Sequence, residues 1–424
     1  MKEILIAIFC VAVPTMGQTV APPTVTMQFS SDRILLGEPV WVLITARNDA
    51  GTAIQWNPGD YCFMFAQQPV TAEVPGAAPG SGKPERCTYG AIGGNCMVGG
   101  NTTEIAPGES VTRRYLLEGD FHFTHAGTYQ VALTPHPGKV YPIPSENAAT
   151  LVRPGRVTET LTLMVLPKDD AALLAREKQM AAEMEREILS QKHTPITKAE
   201  REASWREMQN VRQVRRGLAV QPAPGMESVF VHWLQLPNDF EGDAITGLRN
   251  LNTEESRAVL ADIAKTPDKP NSYTQESATA ALAEMGDRHY YPLMVQLLGS
   301  PDGRVRRAAI AGVGSLGGEA GIAELAEIAR TGNEIEQGDA LISLGNTDSR
   351  AAVNALIDLM IAKNLQHPLD AEWPLFVPTH HRLERVKYLR SPEQAHEVWQ
   401  QWWNTEGRNA PVYSPYECAS KGAS

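Results

Sequence analysis

A motif that returns every 28 to 34 residues in the C-terminal half is the feature that most constrains the fold of this chain. The copies are GLRNLN at 247–252, ALAEMGD at 281–287, GVGSLGG at 312–318 and ALISLGN at 340–346. Their anchor positions are Asn252, Gly286, Gly317 and Gly345. Between anchors the apolar residues follow helical spacing, as at Val353, Leu356, Ile357 and Met360. Since a period of about 30 residues with two helices per unit is typical of stacked repeats, residues 225–365 are predicted to form an α-solenoid.

The unit between residues 297 and 317 carries the most specific pattern. It contains the pairs Leu297-Leu298, Pro301-Asp302, Val305-Arg306, Ala308-Ala309 and Leu316-Gly317. In these pairs the region from about 245 to 362 resembles the HEAT-like repeat family first associated with phycobilisome lyases. The resemblance implies a turn at Pro301, a helix N-cap at Asp302 and a helix end at Gly317.

The same resemblance implies that the repeat residues are structural. The expected buried stripe is Val305, Ala309, Val313 and Leu316, and the equivalent leucines of the neighbouring copies are Leu282 and Leu344. Arg306 is expected to join a buried or inter-repeat ladder rather than to contact a ligand. An iron-dependent hydroxylase of this family binds metal through His-Glu pairs in its repeats. Here the only such pair is His396-Glu397 in the tail, so that activity is not predicted.

Short segments of alternating polar and apolar residues precede Pro167. In VWVLITA at 40–46 every second residue can face a core, and the same holds at 129–133 and 161–165. Such segments without a helical stretch predict a two-sheet β-sandwich over 18–167. Three motifs are expected to form turns and strand entries in this region: LGEPV at 36–40, PGES at 107–110 and AGTYQV at 126–131. In these motifs the region resembles bacterial immunoglobulin-like envelope domains, which implies strand entries and a tyrosine near a sheet corner.

Residues 168–217 change character, because they are rich in helix-forming residues with interspersed charges of both signs. Pro195 divides this stretch into two predicted helices, and QPAPG at 221–225 ends it. We therefore predict a charged helical connector over 168–224 that caps the next domain. A partner-binding amphipathic helix is the alternative.

Residues 366–424 are predicted to contain a closing helix and a tail. Ser391 and Pro392 have the residue types of a helix N-cap and a first helical position. Three tryptophans follow on one helical face: Trp399, Trp402 and Trp403. Because a solenoid needs a cover over its last repeat, we interpret them as capping residues. A binding site for an aromatic-seeking ligand is the alternative.

The N-terminal segment 1–17 has the pattern of a secretory signal peptide. A short charged start precedes an apolar run at 4–13, and Gly17 follows as a small residue. Cys10 raises lipoprotein processing as an alternative, although Phe9 precedes it where a small residue is required. We therefore expect an exported protein, secreted or periplasmic, with no membrane span.

Sequence motifs for enzyme chemistry are missing. The chain has no G-x-S-x-G elbow, H-E-x-x-H helix or Walker loop. The close histidine pairs His122/His125 and His380/His381 are interpreted as surface residues rather than metal ligands. No catalytic, cofactor-binding or metal residue is therefore predicted, and no cofactor is expected. The formal net charge of -11 argues against a nucleic-acid partner.

Together these patterns predict an exported, non-enzymatic protein that binds or scaffolds an unknown protein partner in the cell envelope. Repeat architectures supply long binding surfaces and rarely carry catalysis themselves. Two alternatives remain open. One is an enzyme or enzyme subunit whose site lies between sandwich and solenoid, with His, Asp and Glu side chains from both. The other is a sandwich that resembles a protease inhibitor or binds carbohydrate.

Cys87 and Cys96 are predicted to form a disulfide bridge. Four cysteines remain after residues 1–17, an even number that is typical of disulfide pairing in an exported chain. The glycine-rich stretch at 90–94 lets the short loop close. Zinc binding is the alternative, but no C-x-x-C occurs. Mass spectrometry of a non-reduced digest should find the two cysteines linked, and finding both thiols free would contradict the prediction.

Overall fold

The computed structural model of this chain describes residues 23–57, 72–73, 103–117, 123, 125–133, 139–142, 159–190, 197–236, 240–267, 273–379, 381 and 391–412. Strands occupy the N-terminal part of these residues, and helices with HEAT repeats occupy the rest. The predicted signal peptide at 1–17 and the predicted bridge between Cys87 and Cys96 lie outside the described residues.

Ten strands form three small sheets within the described residues. They are β1 (Thr24–Phe29), β2 (Arg33–Leu35), β3 (Trp41–Arg47), β4 (Ile54–Asn57), β5 (Ala72–Glu73), β6 (Thr103–Ile105), β7 (Ser110–Leu116), β8 (Gly127–Leu133), β9 (Lys139–Pro142) and β10 (Glu159–Leu166). The sheet orders are β1-β3-β7, β2-β10-β8-β5 and β6-β4-β9. The pair of β2 and β10 is parallel, and the other described pairs are antiparallel.

These sheets contribute to one apolar core. Strand β3 supplies the alternate residues Val42, Ile44 and Ala46, as the period of two predicts. The other sheets supply Ile34, Ile54, Trp56, Ile105, Tyr129, Leu163 and Val165. The Tyr129 hydroxyl donates a hydrogen bond of 2.7 Å to the backbone oxygen of His125, which fixes this aromatic side chain at the start of β8.

Thirteen α-helices follow within the described residues. They are α1 (Asp170–Ser190), α2 (Lys198–Val220), α3 (Glu227–Trp233), α4 (Phe240–Leu251), α5 (Glu254–Lys265), α6 (Thr274–Glu284), α7 (Tyr291–Leu297), α8 (Gly303–Leu316), α9 (Gly318–Thr331), α10 (Glu334–Gly345), α11 (Arg350–Leu359), α12 (Glu372–Thr379) and α13 (Pro392–Asn404). Three short 3-10 helices lie at Arg288–Tyr290, Pro368–Ala371 and Glu406–Asn409.

The helices after α1 pack in a regular order. Helices α2, α4, α6, α8, α10 and α12 each contact the next in this series, and we call them the first-row helices. The intervening helices pack against this row, with α5 against α6, α7 against α8 and α9 against α10. One apolar core runs from Leu173 of α1 to Trp403 of α13. The two helices predicted as a connector therefore share their core with the repeats.

The anchor positions of the repeats meet different physical requirements. Asn252 and Gly286 both adopt left-handed backbone conformations, with φ of 51° and 75°. Gly317 instead has an ordinary φ, and a side-chain carbon there would lie 2.6 Å from the Tyr291 ring. A side-chain carbon at Gly345 would lie 2.6 Å from Pro374 of α12. The first two anchors thus turn the chain, and the last two allow close helix packing.

Helix α2 covers one face of the β1-β3-β7 sheet through Trp41. This residue lies on the face of β3 opposite the strand core, yet it is buried. Its indole Nε1 donates a hydrogen bond of 2.9 Å to the backbone oxygen of Gln213. The ring also lies against Gly217, where a side-chain carbon would approach it to 2.4 Å. The glycine is therefore required for the helix to contact the sheet this closely.

The same helix satisfies the exposed backbone of β7, an edge strand of its described sheet. The Asn210 side-chain oxygen accepts a hydrogen bond of 2.9 Å from the Arg114 backbone nitrogen, and the Asn210 amide donates to the Thr112 backbone oxygen at 3.3 Å. The Gln213 side-chain oxygen accepts from the Leu116 backbone nitrogen at 3.3 Å. These amides take the place of a further strand and so protect the edge from intermolecular pairing.

A buried carboxyl group links α1 to the turn after α2. Glu177 is fully buried, and its Oε2 accepts a hydrogen bond of 2.7 Å from the Ala223 backbone nitrogen. Its Oε1 has no hydrogen-bond partner in the described part of the chain. Burial, reinforced by nearby Glu38, raises the pKa of the Glu177 carboxyl to about 8, although the Ala223 bond opposes the shift.

Leu316→Asp should unfold the helices while leaving the strands folded. Leu316 lies in the helical core, where an unpaired buried carboxylate costs several kcal/mol. The strands have a separate core, so limited proteolysis should digest the helices and spare a strand-containing fragment. Ala311→Asp, at an exposed position of the same helix, is the control. An unchanged digestion pattern for Leu316→Asp would contradict the burial of this stripe.

Glu177 should make the protein less stable as the pH rises. Between about pH 4.5 and 8 the folded state retains the Glu177 proton that the unfolded state releases, so stability falls by up to about 1.4 kcal/mol for each pH unit. Glu177→Gln keeps an acceptor for Ala223 and should remove this loss in chemical denaturation at pH 5 and pH 8. Glu183→Gln, an exposed change on the same helix, should retain it. Equal pH slopes for wild type and Glu177→Gln would refute the assignment.

Candidate functional site

Ion pairs connect successive repeats. Arg306 on α8 donates from Nε to Glu336 Oε1 on α10 at 2.6 Å, and from Nη1 to the Ser300 backbone oxygen at 2.9 Å. The adjacent Arg307 pairs with Asp339 at 2.7 Å. Similar pairs join Arg249 to Glu284 and Arg257 to Asp287. Arg306 thus lies between repeats, with its guanidinium bound to protein groups.

The partner of Arg306 also caps a helix. Glu336 accepts a hydrogen bond from the Asn333 backbone nitrogen, and the Asn333 side chain accepts in return from the Glu336 nitrogen, so the two form a capping box for α10. Burial opposes ionisation, but the bonds from Arg306 and Asn333 hold the pKa of Glu336 below its usual value. Arg306 therefore binds a carboxylate that is already fixed in place.

The turn before α8 is built from Pro301 and Asp302. Asp302 is the N-cap, and its Oδ1 accepts a hydrogen bond of 2.9 Å from the Arg304 backbone nitrogen. The Arg304 side chain adds an ion pair of 2.6 Å, and these bonds lower the pKa of Asp302 to about 2. The predicted core residues Leu282, Val305, Leu316 and Leu344 are buried. These positions stabilise helix ends and fill the helical core.

Large apolar side chains are exposed along the first-row helices. The exposed fractions are 61% for Tyr273 beside α6, 60% for Ile335 and 52% for Ile342 on α10, and 69% for Trp373 on α12. Ile335 and Ile342 are seven residues apart and share one face of α10. The Arg304 guanidinium lies 4.4 Å from the centre of the Tyr273 ring. We call these four residues the exposed row, because they lie on or beside three first-row helices, α6, α10 and α12.

The three predicted capping tryptophans pack largely inside the protein. Trp399 and Trp403 are buried, and their indole nitrogens donate to Glu372 Oε1 at 3.4 Å and Asn354 Oδ1 at 2.7 Å. The half-buried Trp402 stacks on His381 with ring centres 3.9 Å apart. Burial lowers the pKa of this histidine, with a small opposing effect from Glu406. The indole donors of Trp399 and Trp403 are thus used within the protein.

A cavity of about 330 Å³ lies where the strands meet α1 and α2. Its charged lining residues are Glu38 and Arg114 from the strand region and Glu183 and Glu187 from α1. Carboxylates from both parts of the protein therefore converge, and the lining contains neither histidine nor aspartate. The sequence raised a site at this junction only as an alternative and identified none of its residues, because its walls come from segments far apart in the chain.

The described residues contain no group of three or more His, Cys, Asp and Glu side chains placed to hold a metal ion. His122 and His380 lie outside the described residues, and His125 is exposed. No described helix is long and apolar enough to cross a membrane.

The comparisons with known proteins concern the repeat region. Residues 268–345 match the family model for HEAT repeats, a segment that includes helices α6 to α10. No curated protein matches the chain. The exposed α10 residues of the exposed row lie inside the matched segment. HEAT repeats are therefore present in the part of this chain that also carries the pairs of Arg306 with Glu336 and of Arg307 with Asp339.

Proposed function

We propose that this protein is an exported scaffold that binds a polypeptide partner in the cell envelope through the exposed row. The supporting observation is the combination of HEAT repeats at 268–345 with four large exposed apolar side chains on or beside the first-row helices. Large exposed apolar side chains are candidates for protein-binding surfaces, and Ile335 and Ile342 share one face of α10. HEAT repeats fit a role in protein interaction.

The finer fold assignment supports the same proposal. The region 18–167 is proposed to be an immunoglobulin-like sandwich, and the support is that sheets β1-β3-β7 and β2-β10-β8-β5 both contribute side chains to one core. The helices form a solenoid of the phycobilisome-lyase type, for which the first-row order and the ion pairs about 30 residues apart are the support. Helix α13 closes its C-terminal end through Trp399 and Trp403.

Export and the absence of catalysis are parts of this proposal. Export rests on the charged start, apolar run and small residue of segment 1–17. A non-enzymatic role rests on the side chains of the repeats, whose polar groups are occupied by helix caps and ion pairs. The cavity between the strands and α1 is the observation that favours the alternative of an enzyme or enzyme subunit with a site at this junction. A carbohydrate-binding or inhibitor-like sandwich has only fold analogy behind it.

Changing the exposed row should abolish partner binding without unfolding the protein. The variant Ile335→Asp/Ile342→Asp/Trp373→Ala alters exposed side chains, so its thermal stability should stay near that of the wild type. Immobilised wild-type protein should retain specific proteins from an envelope extract, and the variant should bind them at least about tenfold more weakly.

Val295→Asp on α7 is the matched control, since it charges an exposed apolar position outside the first-row helices. It should retain the same proteins as the wild type. Equal retention by the triple variant would show that the exposed row is not the binding surface. Loss of retention by the control as well would point to a general effect of added charge.

A further inference from the structure

The cavity at the junction has the size and the mixed lining of a small-molecule site. The segment between β1 and β3 forms its floor together with Trp41 of β3 and Arg114 of β7. Helices α1 and α2 form its roof. A volume of about 330 Å³ is at the lower end of the range of ligand pockets. A ligand of this size is a small metabolite rather than a folded partner.

The apolar part of the cavity is adaptable. Met180 and Met184 lie four residues apart on α1, and Val211 and Val214 face them from α2. The buried Trp41 contributes a flat aromatic wall whose nitrogen is already bonded to α2. Methionine side chains adjust to irregular shapes, so these walls suit an aliphatic side chain.

Arg114 is the unsatisfied cation of this cavity. Its Nε is buried and has no hydrogen-bond partner among the described residues. Burial lowers the pKa of the guanidinium, and Glu187 only partly offsets this effect. A buried donor without an acceptor is costly. The Arg114 side chain also lines the cavity, where a ligand carboxylate would pair with its guanidinium charge.

Acidic groups occupy the α1 side of the cavity. Glu183 and Glu187 are four residues apart on the same helical face as the two methionines. Glu38 accepts from the Leu35 nitrogen at 2.8 Å and pairs with Arg176 at 2.9 Å. Glu183 accepts one hydrogen bond of 2.9 Å from the Gln179 side chain, and Glu187 shares one with the Glu207 side chain. Burial and the neighbouring Glu207 raise the pKa of the Glu187 carboxyl, and Arg114 only partly opposes this shift, so a second cation beside the carboxylate would be stabilising.

We propose that this cavity binds a zwitterion with an aliphatic side chain, either a free apolar amino acid or a short peptide. The carboxylate pairs with Arg114, the ammonium group lies beside Glu183 and Glu187, and the side chain packs on Met180 and Met184. A fatty acid would satisfy Arg114 but leave the two glutamates facing an apolar chain. A simple amine would satisfy the glutamates but face the Arg114 charge.

Titration calorimetry on the full chain after removal of residues 1–17 tests the proposal. The probes are L-leucine and the dipeptide Ala-Leu, whose relative affinities separate the free amino acid from a peptide terminus. Leucinamide lacks the carboxylate and N-acetyl-leucine lacks the ammonium group. Each should bind at least about tenfold more weakly than L-leucine, since one charge-assisted contact is lost. Absence of saturable binding by both L-leucine and Ala-Leu, or equal binding of leucinamide, would overturn the proposal.

Variants locate the binding to this cavity. Arg114→Met should weaken the better probe at least about tenfold, and Glu183→Gln should weaken it by a smaller factor. Arg330→Met, an exposed change on α9, loses the same charge far from the cavity and should bind normally. Unchanged affinity in a folded Arg114→Met variant would refute the site. If that variant does not fold, the comparison of L-leucine with leucinamide on the wild type decides the matter.

Discussion

Helix α2 makes the contacts on which the arrangement of the two apolar cores depends. On one side it supplies Gln213 to the backbone of an edge strand and brings Gly217 against the buried Trp41 ring. On the other side it begins the first-row helices, where Arg215 pairs with Asp243 of α4. A helix that satisfies an open sheet edge while starting a stack of helices fixes both the strands and the repeats relative to itself. The junction cavity follows from this docking.

Within the repeats, apolar burial and ion pairs have separate roles. The continuous core from α1 to α13 removes the apolar faces of the helices from water and is the main source of stability. The pairs of Arg306 with Glu336 and of Arg307 with Asp339 are partly exposed, so each contributes little free energy. Because both pairs join α8 to α10, they favour one register in which these helices stack. The side chains of the exposed row belong neither to this core nor to these ion pairs.

Unsatisfied polar groups are concentrated at the junction between strands and helices. Among the described residues, the buried side-chain atoms without partners are the Arg114 Nε and the Glu177 Oε1. Both lie in contact regions made by α1, and the repeats show no comparable atom within the described part of the chain. Such groups lower stability unless something else pairs with them, and departures from local consistency are expected at functional positions. The proposed ligand cavity lies at this junction, whereas the proposed scaffold surface lies on the repeats.

The sequence alone determined the features that depend on residues close together in the chain. Period-two segments indicated the N-terminal strands, the recurring motif indicated the HEAT repeats, and the equivalence of Asn252 with Gly286 matches their shared left-handed backbone. Tertiary structure decided the burial of Trp41 on the outer face of its strand, the burial of Glu177 and the cavity around Arg114. These features join segments as far apart as the 172 residues between Trp41 and Gln213. Local periodicity and caps encode which face of an element is apolar, but the surface that will cover that face is selected only when the elements pack.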